Sequence, residues 1–162
     1  CLSHRLDWPG GVTLTKLLGN PYESEQDKVA FWTPINNSPQ FWEELPIYYW
    51  VDELIGLLES KVGRGNLYLA TAASHHPASY SGKRQWLMSN GLGRFEPIMI
   101  QNKALLSYPG TLLIDDWEKH EGFVKRGGHF CLFPQPWNSN HRWASDPVKY
   151  VAEYLEHLES KP

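Results

Sequence analysis

The stretch Thr111-Leu112-Leu113-Ile114-Asp115-Asp116 decides the expected fold, because an apolar run suited to a buried strand ends abruptly in two carboxylates. In an open α/β sheet, ligands bind outside the carboxyl ends of the parallel strands. Two adjacent acids there stay ionised only with a cation, a lysine or backbone N–H groups opposite them. The pair is therefore a candidate Mg²⁺ or phosphate site. The alternative is an N-cap and a first-turn acid of the following helix.

The composition is that of a globular protein and excludes several classes of partner. A chain of 162 residues with 41% hydrophobic and 20% charged residues can bury the core of one domain. A net charge of −3 provides no basic field for duplex nucleic acid, and no apolar run is long enough to span a membrane. Cys1 and Cys131 form no metal or redox motif, so we expect a cytoplasmic protein.

Strand-like and helix-like segments alternate along the chain, which predicts an α/β fold with a parallel sheet and right-handed crossovers. Residues 20–50 are rich in aromatic side chains and proline, and we expect short helices and loops there. The predicted strands are 66–71, 97–100, 111–114 and 129–133. The predicted helices are 11–18, 53–60 after Asp52, about ten residues capped near Ser81, 117–126, and a terminal helix starting at Asp146-Pro147.

Two further polar residues follow predicted strands and accompany the acid pair. Thr71 ends the strand at 66–71, and Lys83 lies at the start of the next helix. A hydroxyl and an ammonium would neutralise phosphate oxygens, while Asp115 and Asp116 would hold a cation. The alternatives are a plain β-branched strand end for Thr71 and a solvated helix lysine for Lys83.

The order of these residues resembles motifs II, III and IV of haloacid dehalogenase-type phosphatases, most closely the 5′(3′)-deoxyribonucleotidase-like branch. The resemblance implies one domain over residues 1–162, with a Rossmann-type three-layer parallel sheet and residues 20–50 inserted as a small helical cap. The segments that carry the resemblance are Asp7 to Val12, Phe41-Trp42, Leu69 to Thr71, Gly82 to Trp86, Leu112 to Trp117 and Phe133 to Asn138.

The resemblance also implies a role for each motif residue in Mg²⁺-dependent hydrolysis of nucleoside monophosphates. Thr71 would bond a phosphate oxygen, and Lys83 would contact the phosphate and stabilise the acids. Asp115 would ligate Mg²⁺, and Asp116 would orient the catalytic site or pair with Lys83. Trp8 resembles an aromatic residue near the nucleotide base, and closure of the cap would exclude water.

The chain departs from this family at the motif that carries the catalytic nucleophile and the general acid. The family needs Asp-x-Asp, in which the first Asp attacks phosphorus and the second is the general acid and base. In one alignment with the family, the general-acid position falls on Leu2 and the nucleophile position lies upstream of Cys1. In the other, Asp7 is the nucleophile and Pro9 replaces the acid, but residues 3–5 are too polar for a buried central strand. Neither register completes the pair.

Two functional hypotheses follow from this departure. The first is a Mg²⁺-dependent 5′-nucleotidase whose catalytic strand lies upstream of Cys1, so that the chain as it stands is inactive or incomplete and binds Mg²⁺ weakly. The second is a non-catalytic descendant that binds a nucleotide, another phosphomonoester or a protein partner. Loss of the central strand would expose unpaired backbone groups. We expect residues 1–6 to fill part of that gap, or the sheet to close through a homodimer.

Overall fold

The computed structural model describes residues 24–72 and 76–160, and these residues form two compact units. The first unit contains residues 24–51, 58–72 and 76–102, and the second contains residues 52–57 and 103–160. The predicted helix at 11–18, the aromatic residue Trp8 and the segment 1–6 lie outside the described residues.

In the first unit, two short strands pair in parallel. Strand β1 is Leu69–Thr71 and strand β2 is Pro97–Met99, with Leu69 opposite Pro97 and Thr71 opposite Met99. The predicted strand at 66–71 is shorter than expected because Arg64–Asn66 forms a 3₁₀ turn, in which the Asn66 side chain bonds the Val62 carbonyl. The helices that lie wholly in this unit are α1 (Glu25–Asn36), α2 (Pro39–Glu43) and α4 (Pro77–Ser89).

Helices α2 and α4 pack closely because a glycine lies at their contact. A Cβ added at Gly82 would lie 2.7 Å from the Cβ of Trp42 and would also collide with the Pro39 carbonyl. The indole N–H of Trp86 donates to the Leu45 carbonyl at 2.6 Å, just beyond the end of α2. Helix α4 begins at Pro77, earlier than the start predicted near Ser81, because proline is well suited to the first turn of a helix.

Helix α3 (Val51–Val62) contains residues of both units. It starts one residue before the predicted cap, so Asp52 and Glu53 lie in its first turn, where carboxylates oppose the positive end of the helix dipole. Ile55 and Leu58 are buried, as the spacing of apolar residues predicts.

In the second unit, strand β3 (Leu112–Asp115) pairs in parallel with strand β4 (His129–Leu132), and Asp115 lies opposite Leu132. Helix α6 (Pro147–Glu159) begins as predicted, because the Asp146 side chain accepts from the Lys149 N–H and Pro147 occupies the first turn. The core of this unit contains Ile55, Leu113, Phe123, Cys131, Phe133, Val148, Val151 and Leu155.

The predicted helix at 117–126 is wrong in its first turn, because helix α5 covers only Glu121–Lys125. The Trp117 N–H donates to the Asp115 carboxylate at 2.9 Å, and the Ser139 N–H donates to the Glu118 carboxylate at 2.6 Å. Such side-chain hydrogen bonds to the backbone compete with helix formation. The acid pair therefore begins a turn and does not cap a helix.

The prediction of an α/β fold with parallel strands is confirmed at this level: helices and small parallel sheets make up both units. A three-layer sheet of the haloacid dehalogenase type is not shown, and it remains a prediction, as do the single domain and the cap at 20–50. No helix within residues 24–72 and 76–160 is long and apolar enough to cross a membrane.

Candidate phosphate and cation sites

The structure places two of the predicted site residues together in the first unit. The Lys83 ammonium donates to the Thr71 hydroxyl oxygen at 3.1 Å and to the Ala72 carbonyl at 2.6 Å. Thr71 ends β1, and Lys83 lies in the second turn of α4, so the helix that follows the strand returns its lysine to the strand end. Lys83 is therefore held at the strand end by two hydrogen bonds.

An aromatic ring lies close to this lysine. The Lys83 ammonium is 5.2 Å from the centre of the Trp42 ring, at a distance where the electron-rich face of an indole attracts a cation. The Thr71 hydroxyl accepts its hydrogen bond from Lys83, so its own O–H is oriented to donate elsewhere. An ammonium beside a donating hydroxyl at a strand end is an arrangement suited to a phosphate oxygen.

In the second unit, the Asp115 carboxylate is surrounded by donors. One of its oxygens is bonded by the Lys103 ammonium, and the other accepts from the Trp117 N–H. The Asp115 side chain is 7% exposed and the Lys103 side chain 15%. Burial raises the pKa of Asp115, but the hydrogen bonds from Lys103 and Trp117 and the charge of Lys103 outweigh burial and hold this pKa below its usual value.

A histidine completes the surroundings of Asp115. His120 Nε2 lies 3.4 Å from an Asp115 oxygen, and its ring packs on Phe130 with centroids 5.0 Å apart. The contact is not aligned as a hydrogen bond, and within the described residues this buried nitrogen has no hydrogen-bond partner. The His120 ring therefore lies beside Asp115 without a hydrogen bond to it.

Asp116 differs from Asp115 in its exposure, in its ion pairs and in the direction of its pKa shift. The residue is exposed, although nearby atoms partly desolvate its carboxylate. That desolvation, followed by the negative charge of Asp115, raises the pKa of Asp116. In the part of the chain that the structure describes, ion pairs reach Asp115 and none reaches Asp116. Asp116 is thus an accessible carboxylate whose ionised form would be favoured by a cation.

Sequence reasoning missed Lys103, which is the lysine that forms the ion pair with Asp115. It begins a 3₁₀ turn (Lys103–Leu106) shortly after β2 ends at Met99. No local sequence pattern predicted this contact, since Lys103 lies 12 residues before Asp115 in a separate segment. The resemblance assigned the stabilisation of the acids to Lys83, whereas the structure gives that contact on Asp115 to Lys103.

The acid pair fits a Mg²⁺ ion only in part. Among residues 24–72 and 76–160, no group of three or more His, Cys, Asp or Glu side chains is arranged to hold a metal. Magnesium, however, is often held by one or two carboxylates, with water and phosphate completing its octahedral shell. Lys103 and the Trp117 N–H compete for the Asp115 oxygens, so Asp116 suits the cation better than the predicted ligand Asp115.

The fold and these two groups define the protein as an α/β protein with polar side chains at the end of one strand in each unit. Comparison with protein-family models, with curated proteins and with solved structures finds no match for this chain. The predicted base contact Trp8 is outside the described residues, so it remains a prediction.

Proposed function

We propose that this chain is a 5′-nucleotidase-like protein of haloacid dehalogenase lineage, and that these 162 residues bind the phosphate of a nucleoside monophosphate without hydrolysing it. The observation that carries the proposal is the hydrogen bond of 3.1 Å between the Lys83 ammonium and the Thr71 hydroxyl, where β1 ends.

Phosphate is the ligand that this pair of groups suits best. A lysine provides a compact positive charge, and charge-assisted hydrogen bonds to anions are about twice as strong as neutral ones. The Thr71 hydroxyl adds a directed donor. The Trp42 ring near Lys83 provides an apolar wall that excludes water and strengthens the attraction between the lysine and an anion.

A Mg²⁺ ion would be held in the second unit, with Asp116 as its carboxylate ligand and Asp115 fixed by Lys103 beside it. When bound, Mg²⁺ would supply a positive charge beside the Asp116 carboxylate. The hydrogen bonds from Lys103 and Trp117 and the charge of Lys103 hold the pKa of Asp115 below its usual value, so Asp115 lies beside Asp116 as an ion-paired carboxylate.

The absence of hydrolysis is proposed because the sequence contains no Asp-x-Asp. Without a carboxylate nucleophile no aspartyl-phosphate forms. Loss of a general acid alone costs roughly 10²–10⁴ in rate. The second candidate is an active Mg²⁺-dependent 5′-nucleotidase, and the Lys103–Asp115 ion pair favours it, because it keeps a carboxylate charged where a phosphatase would need one.

Calorimetric titration with nucleoside monophosphates, the matching nucleosides and inorganic phosphate tests the proposal, with and without Mg²⁺. We expect the monophosphates to bind. Lys83→Ala should lower the affinity for them about 10- to 100-fold, because it removes a hydrogen bond to a charged group. Lys149→Ala is the matched control, because among residues 24–72 and 76–160 the Lys149 ammonium forms one surface pair, with Glu153 at 4.0 Å.

Three results separate the candidates. Equal affinity of wild type and Lys83→Ala for the monophosphates would refute the phosphate site. Release of inorganic phosphate by the wild-type chain with Mg²⁺ would establish the active nucleotidase instead. Titration of Mg²⁺ alone that detects binding to the wild type but not to Asp116→Asn would assign the cation to Asp116.

A further inference from the structure

Helix α4 ends at a Schellman motif, a turn in which the residues after a helix bond its last carbonyls. The Leu92 N–H donates to the Leu87 carbonyl at 2.8 Å, and the Gly91 N–H donates to the Met88 carbonyl at 3.3 Å. Leu87 and Leu92 occupy the positions that usually form an apolar contact in this motif, and both are buried. Gly91 has a φ of +71°, in the left-handed region that glycine adopts without strain. The end of the helix therefore favours glycine at this position.

The same turn contains the one Asn-Gly dipeptide of the sequence, Asn90-Gly91. The peptide nitrogen that follows an asparagine can attack the side-chain amide carbon of that asparagine, and a side chain on the following residue hinders the attack. Gly91 is exposed, and nothing lies within 4 Å of the position that a Cβ would take there. The residue that lets the helix end in this way therefore also leaves the neighbouring amide open to cyclisation.

The folded turn holds both reacting groups in hydrogen bonds. The Asn90 Nδ2 donates to the Trp86 carbonyl at 2.8 Å, and the Gly91 N–H is bonded to Met88. Attack by the Gly91 nitrogen on the Asn90 amide requires both bonds to break. Helix ends open locally at a much lower cost than the whole fold, so the reaction should proceed through opening of this turn.

We propose that Asn90-Gly91 is a site of spontaneous deamidation, and that opening of the Schellman motif sets its rate in the folded protein. The Gly91 nitrogen loses its proton and forms a bond to the Asn90 Cγ, while the bond from Cγ to Nδ2 breaks and Nδ2 leaves as ammonia. The product is a cyclic imide. Water then hydrolyses one of the two ring C–N bonds and gives aspartate or isoaspartate at position 90.

Either product weakens the end of the helix. Aspartate places a negative charge at the C-terminal end of α4, where the helix dipole disfavours it, and removes the Nδ2 donor from the Trp86 carbonyl. Isoaspartate adds a carbon to the backbone between positions 90 and 91, which changes the spacing of the two Schellman bonds. The modified chain should therefore have a less protected Leu92 amide.

Asn66 provides a matched control within the same chain. Its Nδ2 donates to the Val62 carbonyl, four residues earlier, at 2.9 Å, as the Asn90 Nδ2 does to the carbonyl four residues before it. The residue after Asn66 is Leu67, whose side chain hinders attack by its peptide nitrogen. Asn66 is exposed and Asn90 is half-buried, so exposure alone predicts the opposite order of reaction rates.

The test follows deamidation of the full 162-residue chain at mildly alkaline pH, folded and in concentrated urea. Trypsin separates the two asparagines into peptides 65–83 and 85–94, and mass spectrometry measures the fraction of each that has changed from amide to acid. We expect peptide 85–94 to convert and peptide 65–83 to remain unchanged. Conversion in the folded chain should be about tenfold or more slower than in urea, because the motif is closed most of the time.

Two substitutions separate local opening from global unfolding. Leu92→Ala removes an apolar side chain of the motif, and Leu155→Ala removes a buried side chain from α6 in the second unit. Leu92→Ala should accelerate deamidation of the folded chain about threefold or more, and Leu155→Ala less than about twofold. Both variants should match the wild type in urea, where no motif remains to be opened.

Three results would overturn the inference. A folded chain that keeps peptide 85–94 intact while urea converts it would show that the folded protein is not modified there. Equal rates in the folded chain and in urea, or equal acceleration by the two substitutions, would show that the motif does not set the rate. Conversion of peptide 65–83 as fast as peptide 85–94 would remove the role of Gly91. If Leu92→Ala does not fold, Leu92→Val replaces it, with the same order of rates expected.

Discussion

The Asp115 carboxylate keeps its charge against the effect of burial, because an ammonium and a backbone N–H together outweigh the loss of water. Such a pair is costly to break from one side, since removal of the cation leaves a buried charge without compensation. The contact is therefore a stability determinant as well as a part of the candidate site.

We expect Lys103→Met to lower the free energy of unfolding by about 3 kcal/mol, because the Asp115 side chain is then buried without its cation. Urea denaturation at pH 7 measures the change. Lys125→Ala is the control: Lys125 forms an exposed pair with Glu121 at 3.6 Å, and its loss should cost less than about 0.5 kcal/mol. A similar loss in both variants would show that the Lys103 contact is not a buried ion pair.

The two adjacent acids should give opposite dependences of stability on pH. The pKa of Asp115 is lowered from 3.8, so its contribution is present above that value and is lost as the pH falls through the folded pKa. The pKa of Asp116 is raised from 3.8, so its contribution is full below that value and is lost as the pH rises through the folded pKa.

Unfolding measured between pH 3 and 8 distinguishes these two contributions. Asp115→Asn should be less stable than wild type at pH 7, with the difference shrinking toward acid. Asp116→Asn should gain stability relative to wild type as the pH rises from acid to neutral. Parallel curves for the wild type and Asp116→Asn would contradict the raised pKa of Asp116.

At the scale of elements, local signals predicted helix starts well where the cap and the helix are adjacent in sequence. Asp146 and Pro147 start α6 as predicted, because both act within one turn. The predicted start of α5 was wrong, because the Glu118 carboxylate accepts a hydrogen bond from the Ser139 N–H, 21 residues away. A partner at that distance leaves no trace in the periodicity of residues 117–126.

The contact between α2 and α4 depends on the missing side chain at Gly82. We expect Gly82→Ala to destabilise the protein by about 1–3 kcal/mol, because the new methyl group collides with Trp42 and with the backbone of Pro39. Gly56→Ala in α3 is the control, since nothing lies within 4 Å of a Cβ there, and alanine should stabilise that helix by about 0.5–1 kcal/mol. Thermal unfolding of the two variants checks the opposite signs.

At the scale of the whole molecule, sequence reasoning predicted pairs of neighbours better than it predicted a sheet. Thr71 and Lys83 meet because a helix that follows a strand returns along it. The partner of Asp115 was missed because Lys103 reaches it across a separate segment, and no local pattern encodes that choice. The strands form two parallel pairs, β1 with β2 and β3 with β4, and each pair connects segments far apart in sequence.

Helix α3 is one continuous run of helical hydrogen bonds that contains residues of both units. Unfolding either unit would remove the packing of part of this helix, so we expect one cooperative transition. Native-state hydrogen exchange tests this with the buried Leu87 in α4 and Val151 in α6, whose opening free energies should agree within about 1 kcal/mol.

The sharper form of this test uses a substitution in the shared helix. Ile55→Ala removes a buried side chain that contributes to the second unit and should cost about 2–5 kcal/mol. If the transition is cooperative, the opening free energies of Leu87 and Val151 fall together by that amount, since both amides then exchange only through global unfolding. A fall at Val151 with Leu87 unchanged would show that the first unit unfolds independently, because α3 would then transmit no stability between the two sets of residues that it contains.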